Sequence, residues 1–278
     1  MRVISWNVNG IRARMPRILA LLARHEPEVL CLQETKVQDA DFPADLLTRA
    51  GYGVLAHGQP AYNGVAILTR MGTAPLHPEP GFPGNPLPDE ARVLAATVGD
   101  LRILDLYVPN GREVGHEYYD LKLRWLDRLS DWLAETTDPT RPLILVGDFN
   151  IAPSDRDVHD PAKWAGSNLV SEAERARFQR LIGWGLVDLQ RAAEPKDGRS
   201  IAHDRSADHD PTAPGPFTWW DYRFGAFSRG WGLRIDLALA TAPVAARCRR
   251  VWVDREERKA GTGEGKPSDH APLVIDLD

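Results

Sequence analysis

Two periods of hydrophobic patterning divide the chain. Short apolar runs closed by turn-forming residues recur at 2–6, 29–32, 52–56, 64–70, 92–98, 101–108 and 143–146, and again at 217–222, 234–240, 247–253 and 271–277. Runs of this length predict strands, with Gly99-Asp100 turning a hairpin between the two runs in 92–108. Helical spacing occurs in three places. Residues 15–25 place Ile18, Leu19, Leu21 and Leu22 on one face, with Pro16 suited to a first turn. Residues 118–133 carry Leu121, Trp125, Leu126, Leu129, Trp132 and Leu133 at three- and four-residue steps. Ser171-Glu172-Ala173-Glu174 opens a third helix, over 171–182, with a capping-box pattern. A loop rich in Pro, Asp and His spans 194–216. This order of elements predicts an α/β protein: one domain over 1–278, a two-sheet α/β sandwich with helices flanking the sheets. Two strand-dominated halves, about 1–137 and 138–278, meet near Thr137 with no linker between them.

The stretch 142–152, PLILVGDFNIA, has the most informative pattern. Four consecutive apolar residues, Leu143 to Val146, predict a strand buried on both faces, and Gly147 permits a turn after it. Asp148 and Asn150, two residues apart, then project to the same side at the carboxyl end of the strand, where α/β sheets place their chemistry. The first strand repeats the plan, ending in Asn7-Val8-Asn9-Gly10. Read alone, each is equally an Asx turn bonded to its own backbone.

Composition narrows the classes. A 278-residue chain with 43% hydrophobic and 26% charged residues suits a soluble globular protein with a substantial core. No run approaches the roughly 20 apolar residues that span a bilayer, and Met1-Arg2 leads directly into the first strand without a signal peptide. A cytoplasmic protein with no membrane partner is expected. Cys31 and Cys248 make neither a disulfide framework nor a metal cluster. The net charge of −5 argues against nucleic acid, but within 222–266 Arg223, Arg229, Arg234, Arg247, Arg249, Arg250, Arg255, Arg258, Lys259 and Lys266 outnumber the acids. That suits phosphate binding or an ordinary solvated face equally.

Polar residues gather where strands stop: Asn7, Asn9, Glu34, Tyr107, Asn110, Asp148, Asn150, Asp236, Asp269 and His270. Any one has a structural explanation. Asp236, inside the apolar run RIDLALA, is harder to explain, because a buried charge needs a partner and His270 could supply one. Together, acids and amides with one His and no Cys make a hard oxygen-donor site suited to Mg²⁺ or Mn²⁺ rather than Zn²⁺. Crowded carboxylates repel, so a cation and a charged His would relieve such a site. The chemistry indicated is metal-assisted phosphodiester hydrolysis.

The motifs ISWNVNGIRAR, CLQETK, YVPNG, VGDFNIAP, FTWWDYR, GLRIDLAL and PSDHAP follow one another from residue 4 to residue 272. In this order they closely resemble the exonuclease III / apurinic-apyrimidinic endonuclease family, within the deoxyribonuclease I-like fold. GDFN and SDH are shared with other branches of that fold, whereas CLQETK, FTWWDYR and GLRID are specific to the DNA-repair branch. The resemblance implies a Mg²⁺-dependent nuclease (Mn²⁺ as an alternative), acting as a monomer on double-stranded DNA. It would cut 5′ to abasic sites and act at 3′ ends as 3′–5′ exonuclease and 3′-phosphatase. It implies Glu34 as principal metal ligand, with Asn7, Asn9 and Asp269 beside the metal. Asn9 stands where some members carry Asp, which leaves the site one charge lighter. Tyr107 would face the scissile phosphate with Asn110 holding it. Asp148 would deprotonate the attacking water, Asn150 would bond a phosphoryl oxygen, and Asp236 would orient His270 to stabilise charge on the phosphate. Arg112 and Arg223 match DNA-inserting loops. Trp219, Trp220, Leu233 and Ile235 would line an apolar pocket for the sugar, with strand alternation admitting one Trp and Trp220 ranked ahead of Trp219. The segment 201–212, with His203 and His209, departs from the family pattern, and a mobile loop is expected over a second metal site. The alternatives are a phosphatase or phospholipase of the same fold, and an inactive DNA-binding module. The complete set of Glu34, Asp148, Asn150, Asp236 and His270 stands against the latter.

Overall fold

The computed structural model describes residues 1–193, 215–261 and 265–278, so the segment with His203 and His209 lies outside the described residues. β1 (Arg2–Asn7) leads through α1 (Ile11–His25) to β2 (Val29–Gln33), and α2 (Ala44–Arg49) precedes β3 (Tyr52–His57) and β4 (Val65–Arg70). An exposed edge strand, β5 (Leu76–Pro80), is followed by β6 (Val93–Val98), β7 (Leu101–Tyr107), α3 (Glu117–Thr136) and β8 (Leu143–Asp148). α4 (Pro161–Trp164), α5 (Glu172–Trp184) and β9 (Leu186–Asp188) lead to β10 (Asp236–Thr241), β11 (Cys248–Val253) and β12 (Leu273–Leu277). One sheet has the order β11-β12-β1-β2-β4-β3 and the other β5-β6-β7-β8-β10-β9. Among the described residues only the pairs β1/β2 and β7/β8 are parallel, and a helix bridges each, α1 and α3.

The expected sandwich is present, with helices on its outer faces. Ile11, Met15, Ile18 and Leu21 of α1 cover Ile4, Leu30 and Leu68 of the first sheet. Trp125, Leu126, Leu129 and Leu133 of α3, with Phe178 and Leu181 of α5, cover Leu104, Leu145 and Leu239 of the second. Val3, Cys31 and Ile67 meet Ile103, Val146 and Ala238 between the sheets.

Each sheet draws strands from both sides of Thr137. Several expectations need correction. α1 starts at Ile11, because the Gly10 and Ile11 amides donate to the Glu34 and Thr35 carbonyls after β2; Pro16 therefore lies inside the helix. Gly147 makes no turn. It lies within β8, where a Cβ would stand 1.9 Å from the Leu106 carbonyl oxygen, so glycine is what lets β8 approach β7. Residues 217–222 form no strand: Trp219 makes isolated bridges to Leu233 and to His270, so this segment crosses the end of the sandwich and ties the two sheets together. Nor is the basic run 222–266 one surface. Arg234 is buried between Asp157 and Asp188, and Arg258 is buried too.

Alternation carries polar groups into the layer between the sheets. Gln33 Nε2 donates to Ser5 Oγ (3.1 Å) and to Asp105 Oδ1 (2.6 Å), while Asp105 Oδ2 has no hydrogen-bond partner among the described residues. Burial pushes the Asp105 carboxyl well above its ordinary value, so the neutral acid is the form the interior favours. An acid raised in this way binds more protons folded than unfolded. Its neutral form is fully tolerated below 3.8, and stability is lost as pH climbs from there through the folded value. Asp105→Asn keeps the shape and removes the titration. It should leave Tm unchanged near pH 4 and raise it at pH 8, by about 2–4 °C for each kcal/mol recovered. Thermal melts across that range check this, and parallel Tm–pH curves for the two proteins would acquit Asp105.

Candidate active site

The site is the polar end of the layer between the sheets. Alternation runs Val3-Ser5-Asn7 along β1, Ile103-Asp105-Tyr107 along β7 and Ile144-Val146-Asp148 along β8, apolar where the sheets face each other and polar at the rim. Register does the rest. Asp148 is paired with Tyr107 on one side and with Asp236 on the other. The loops that follow bring Glu34, Asn110, Asn150, Asp269 and His270 around them to form a cleft of about 600 Å³.

Three groups meet most closely: Glu34, Asp148 and His270 offer ligand atoms within 4.8 Å of one another. Asn7 Nδ2 bridges the two carboxylates, donating to Glu34 Oε1 and to Asp148 Oδ2, each at 2.9 Å. Its oxygen is turned away and accepts the Asn9 amide (3.0 Å), so Asn7 acts here as a spacer between acids. Asn9 Nδ2 donates to Asp269 Oδ1 (2.9 Å), and its oxygen accepts Lys36 Nζ (2.5 Å), which also pairs with Glu34 Oε2 at 2.9 Å. His270 Nδ1 meets Asp236 Oδ2 at 2.9 Å, and Nε2 lies 3.8 Å from Asp148 Oδ2. The three side chains thus form a buried line, Asp236–His270–Asp148. Trp219 Nε1 donates to Asp269 Oδ2 (3.1 Å).

The electrostatics follow from this crowding. Burial, with Asp236 and Glu34 close by, pushes the Asp148 carboxyl up to about 7 against the pull of His270. His270 would be lowered by burial, but Asp236, Asp148 and Asp269 overcome that and raise it to about 10, so the ring is an imidazolium at neutral pH. Burial also opposes the charge on Glu34, yet Lys36, Asn7 and His270 hold it below its ordinary value. Burial and the Glu34 charge push the Tyr107 phenol well up, which keeps it protonated. Carboxylate and amide oxygens around Lys36 Nζ form a position that takes positive charge, a hard-donor environment that a divalent cation also fits.

Several site residues adopt left-handed backbone: Asn9 (φ 46°), Glu34 (51°), Lys36 (57°), Arg112 (64°) and Asn150 (49°). Such conformations persist where the surroundings over-determine them, and they cluster at functional sites. Asn150 shows how. Its amide donates to Asp148 Oδ1 (2.9 Å) and its Nδ2 to the Val108 carbonyl (3.0 Å), while its Oδ1 accepts Asn110 Nδ2 (2.9 Å).

Cleft walls correct the expectation for the apolar pocket. Trp219 and Ile235 line it, whereas Trp220 is fully buried against Phe227 (5.1 Å, edge-on), Ala226 and Ala271. Alternation is obeyed with the opposite phase, because the bridges to Leu233 and His270 turn Trp219 toward the rim and its neighbour into the core. Leu233 does not reach the cleft either; it is buried behind the wall with Val158 and Ile235. Arg112 and Arg223 stand at the rim, Arg112 beside His116 and Arg223 forked onto Asp221 (2.7 Å). The sequence reading missed Trp164, Asn168 and Leu169, which add to the walls from a segment without periodicity, and Glu113, Val114, Ser167 and Asp221, which line them too. Lys36 was missed as well; a cation two residues from Glu34 in CLQETK was its one signal. Arg92 has no sequence signal: its guanidinium lies 4.6 Å over the Tyr107 ring and donates to the Tyr107 carbonyl at 3.2 Å.

Comparison with known proteins agrees with this geometry. Residues 4–270 match the model of the Endonuclease/Exonuclease/phosphatase family. The chain is 34% identical to exodeoxyribonuclease III of Haemophilus influenzae, over 98% of each chain. It is 28% identical to the DNA repair nuclease APEX1 of Danio rerio, over 100% of this chain and 82% of that one. Among solved structures it is similar to the 3′ phosphatase NExo from Neisseria bound to product DNA hairpin (37% identity, TM-score 0.87, covering 100% and 99% of the two chains). It is equally similar in shape to an AP endonuclease from Archaeoglobus fulgidus (34% identity, TM-score 0.87, 100% and 99% covered). With its fold and nearly its whole length matched, the chain belongs to the endonuclease/exonuclease/phosphatase family.

Proposed function

We infer that this protein is a metal-dependent DNA-repair phosphodiesterase of the exonuclease III type, cleaving duplex DNA 5′ to abasic sites and removing nucleotides or phosphate from 3′ ends. The observation that carries the reading is the buried line Asp236–His270–Asp148 facing Glu34 and Tyr107 across a single cleft. Relatives named for exonuclease, AP endonuclease and 3′-phosphatase activities support it. One attack geometry serves all three, because each reaction breaks the P–O3′ bond and leaves a 3′-hydroxyl. They differ only in what lies beyond the phosphate.

In this reading Asp148 takes the proton from the water that attacks phosphorus; a base near neutrality suits the task. His270, held by Asp236, donates from Nε2 toward the phosphate as charge accumulates there. The protonated Tyr107 phenol and the second hydrogen of Asn150 Nδ2 are further donors on the same side. Mg²⁺, or Mn²⁺, held by Glu34 with Asn9 and Asp269 beside it, would polarise the phosphoryl oxygen and offset the crowded carboxylates. Trp219 and Ile235 would take the sugar, since extrusion from the duplex costs least where no base is stacked.

Chelation with EDTA should abolish cleavage of a duplex carrying one abasic-site analogue, and added Mg²⁺ should restore it. Glu34→Ala is expected to move the Mg²⁺ titration to about tenfold higher concentration or beyond, one ligand being worth more than 1.4 kcal/mol; an unmoved titration removes Glu34 from the metal site. Asp148→Asn should lower kcat by roughly 10²- to 10⁴-fold with DNA affinity held or increased. His270→Ala and Asp236→Asn should each lose kcat, and together lose little more than His270→Ala alone; independent, multiplicative losses would separate the pair. Trp219→Ala should lower kcat/KM on the abasic duplex with little change in Tm. Trp220→Ala should instead destabilise the fold by about 3–5 kcal/mol, as core Trp truncations do. The reverse pattern would return the pocket to Trp220.

A further inference from the structure

We propose that Lys122, on α3, is a positioning residue that holds two of the cleft asparagines, Asn110 and Asn150, in their working geometry. This deepens the phosphodiesterase reading and rests on it. Lys122 is fully buried, and its ammonium donates to the Asn150 carbonyl (2.7 Å), to the Asn110 carbonyl (3.1 Å) and to Asn168 Oδ1 (3.5 Å). Three cleft-forming segments therefore converge on one nitrogen. Asn168 closes the ring by donating from Nδ2 to the same Asn110 carbonyl at 2.8 Å.

Glu174 of α5, also fully buried, pairs with Lys122 and accepts the Leu169 amide at 3.0 Å and Ser171 Oγ at 2.6 Å. The ion pair thus holds the Asn168 segment a second time, at Leu169. Packing alone does not account for it, because a buried ion pair gains little or nothing over apolar side chains of the same volume. What it adds is direction. Asn150 sits at φ 49°, a conformation that its surroundings must hold in place, and Lys122 fixes its carbonyl while Asn110 fixes its side chain.

The test is a cycle of Lys122→Met and Asn150→Ala, measured as steady-state cleavage of the abasic duplex with Mg²⁺ and as Tm. A positioning group displaced by about 1 Å can cost about 10²-fold. Lys122→Met should therefore lower kcat by about tenfold or more with KM within about threefold, and should cost less than about threefold in kcat once Asn150 is already Ala. The Tm losses should meanwhile be similar in both backgrounds. A folded Lys122→Met protein with wild-type kcat overturns the proposal, as does an equal kcat loss in both backgrounds. If Lys122→Met strands Glu174 and fails to fold, Lys122→Met/Glu174→Gln removes both charges, keeps an oxygen for the Leu169 amide, and enters the same cycle. Wild-type protein without Mg²⁺-dependent cleavage overturns the function reading and this proposal together. An active wild type beside an equally active Lys122→Met protein overturns this proposal alone.

Discussion

Three carboxylates share one buried rim in this protein, and most of what surrounds them follows from their repulsion. Asp148 and Asp236 oppose each other in register on β8 and β10, and Glu34 is joined to Asp148 through a single amide. Burial drives Asp148 toward neutrality and opposes the charge on Glu34. The arrangement persists because positive charge is threaded between them: His270 between Asp236 and Asp148, and Lys36 on the far side of Glu34. Even so, Asp236 Oδ1 has no hydrogen-bond partner among the described residues, an unsatisfied group of the kind that clusters at functional sites.

Those charges can be held in place because they stand on strand ends of a rigid sandwich. Asn7, Tyr107 and Asp148 continue faces that are apolar a few residues earlier, and Asp236 opens one that is apolar a few residues later, so the packing that stabilises the sheets also aims the site. The segment that crosses the end of the sandwich adds a second constraint. Trp219, bridged to Leu233 before β10 and to His270 before β12, ties the two sheets where the cleft opens. Loops supply the remaining groups, and buried cations set their course: Arg92 beneath Tyr107, Lys122 beneath Asn110 and Asn150. The Pro-rich segment before β6 serves the core, with Phe82 stacked on Trp132 at 5.5 Å and edge-on to Trp125 at 5.3 Å.

Much of this was legible from local pattern. Strand alternation, the apolar stripe of α3 and the Ser171–Glu174 capping box depend on residues a few positions apart; the stripe, the capping box and every expected strand except 217–222 are found where the pattern placed them. The acids and amides at the strand ends were legible for the same reason, since a two-residue period says which side chains share a face. Where the reading slipped, the deciding partner lay elsewhere in the chain. Gly147 reads as a turn former until Leu106 is seen against it. Arg234 reads as surface charge until Asp157 and Asp188 enclose it.

By itself, then, the sequence determined the two-sheet class, the central strand with Asp148 and Asn150 at its end, and the hard-donor character of the site, because each follows from residue type and short-range period. Tertiary structure decided which Trp faces the cleft, which oxygens meet, and which cations balance them. Trp219 and Trp220 are equivalent to any local rule, and only the bridges to Leu233 and His270 set their phase. Asn7 stands at a strand end like its polar neighbours, but contacts with Glu34 and with Asp148, the latter 141 residues away, decide that its amide nitrogen lies between the two acids. Such choices are made by packing and electrostatics between distant segments, and no local period encodes them.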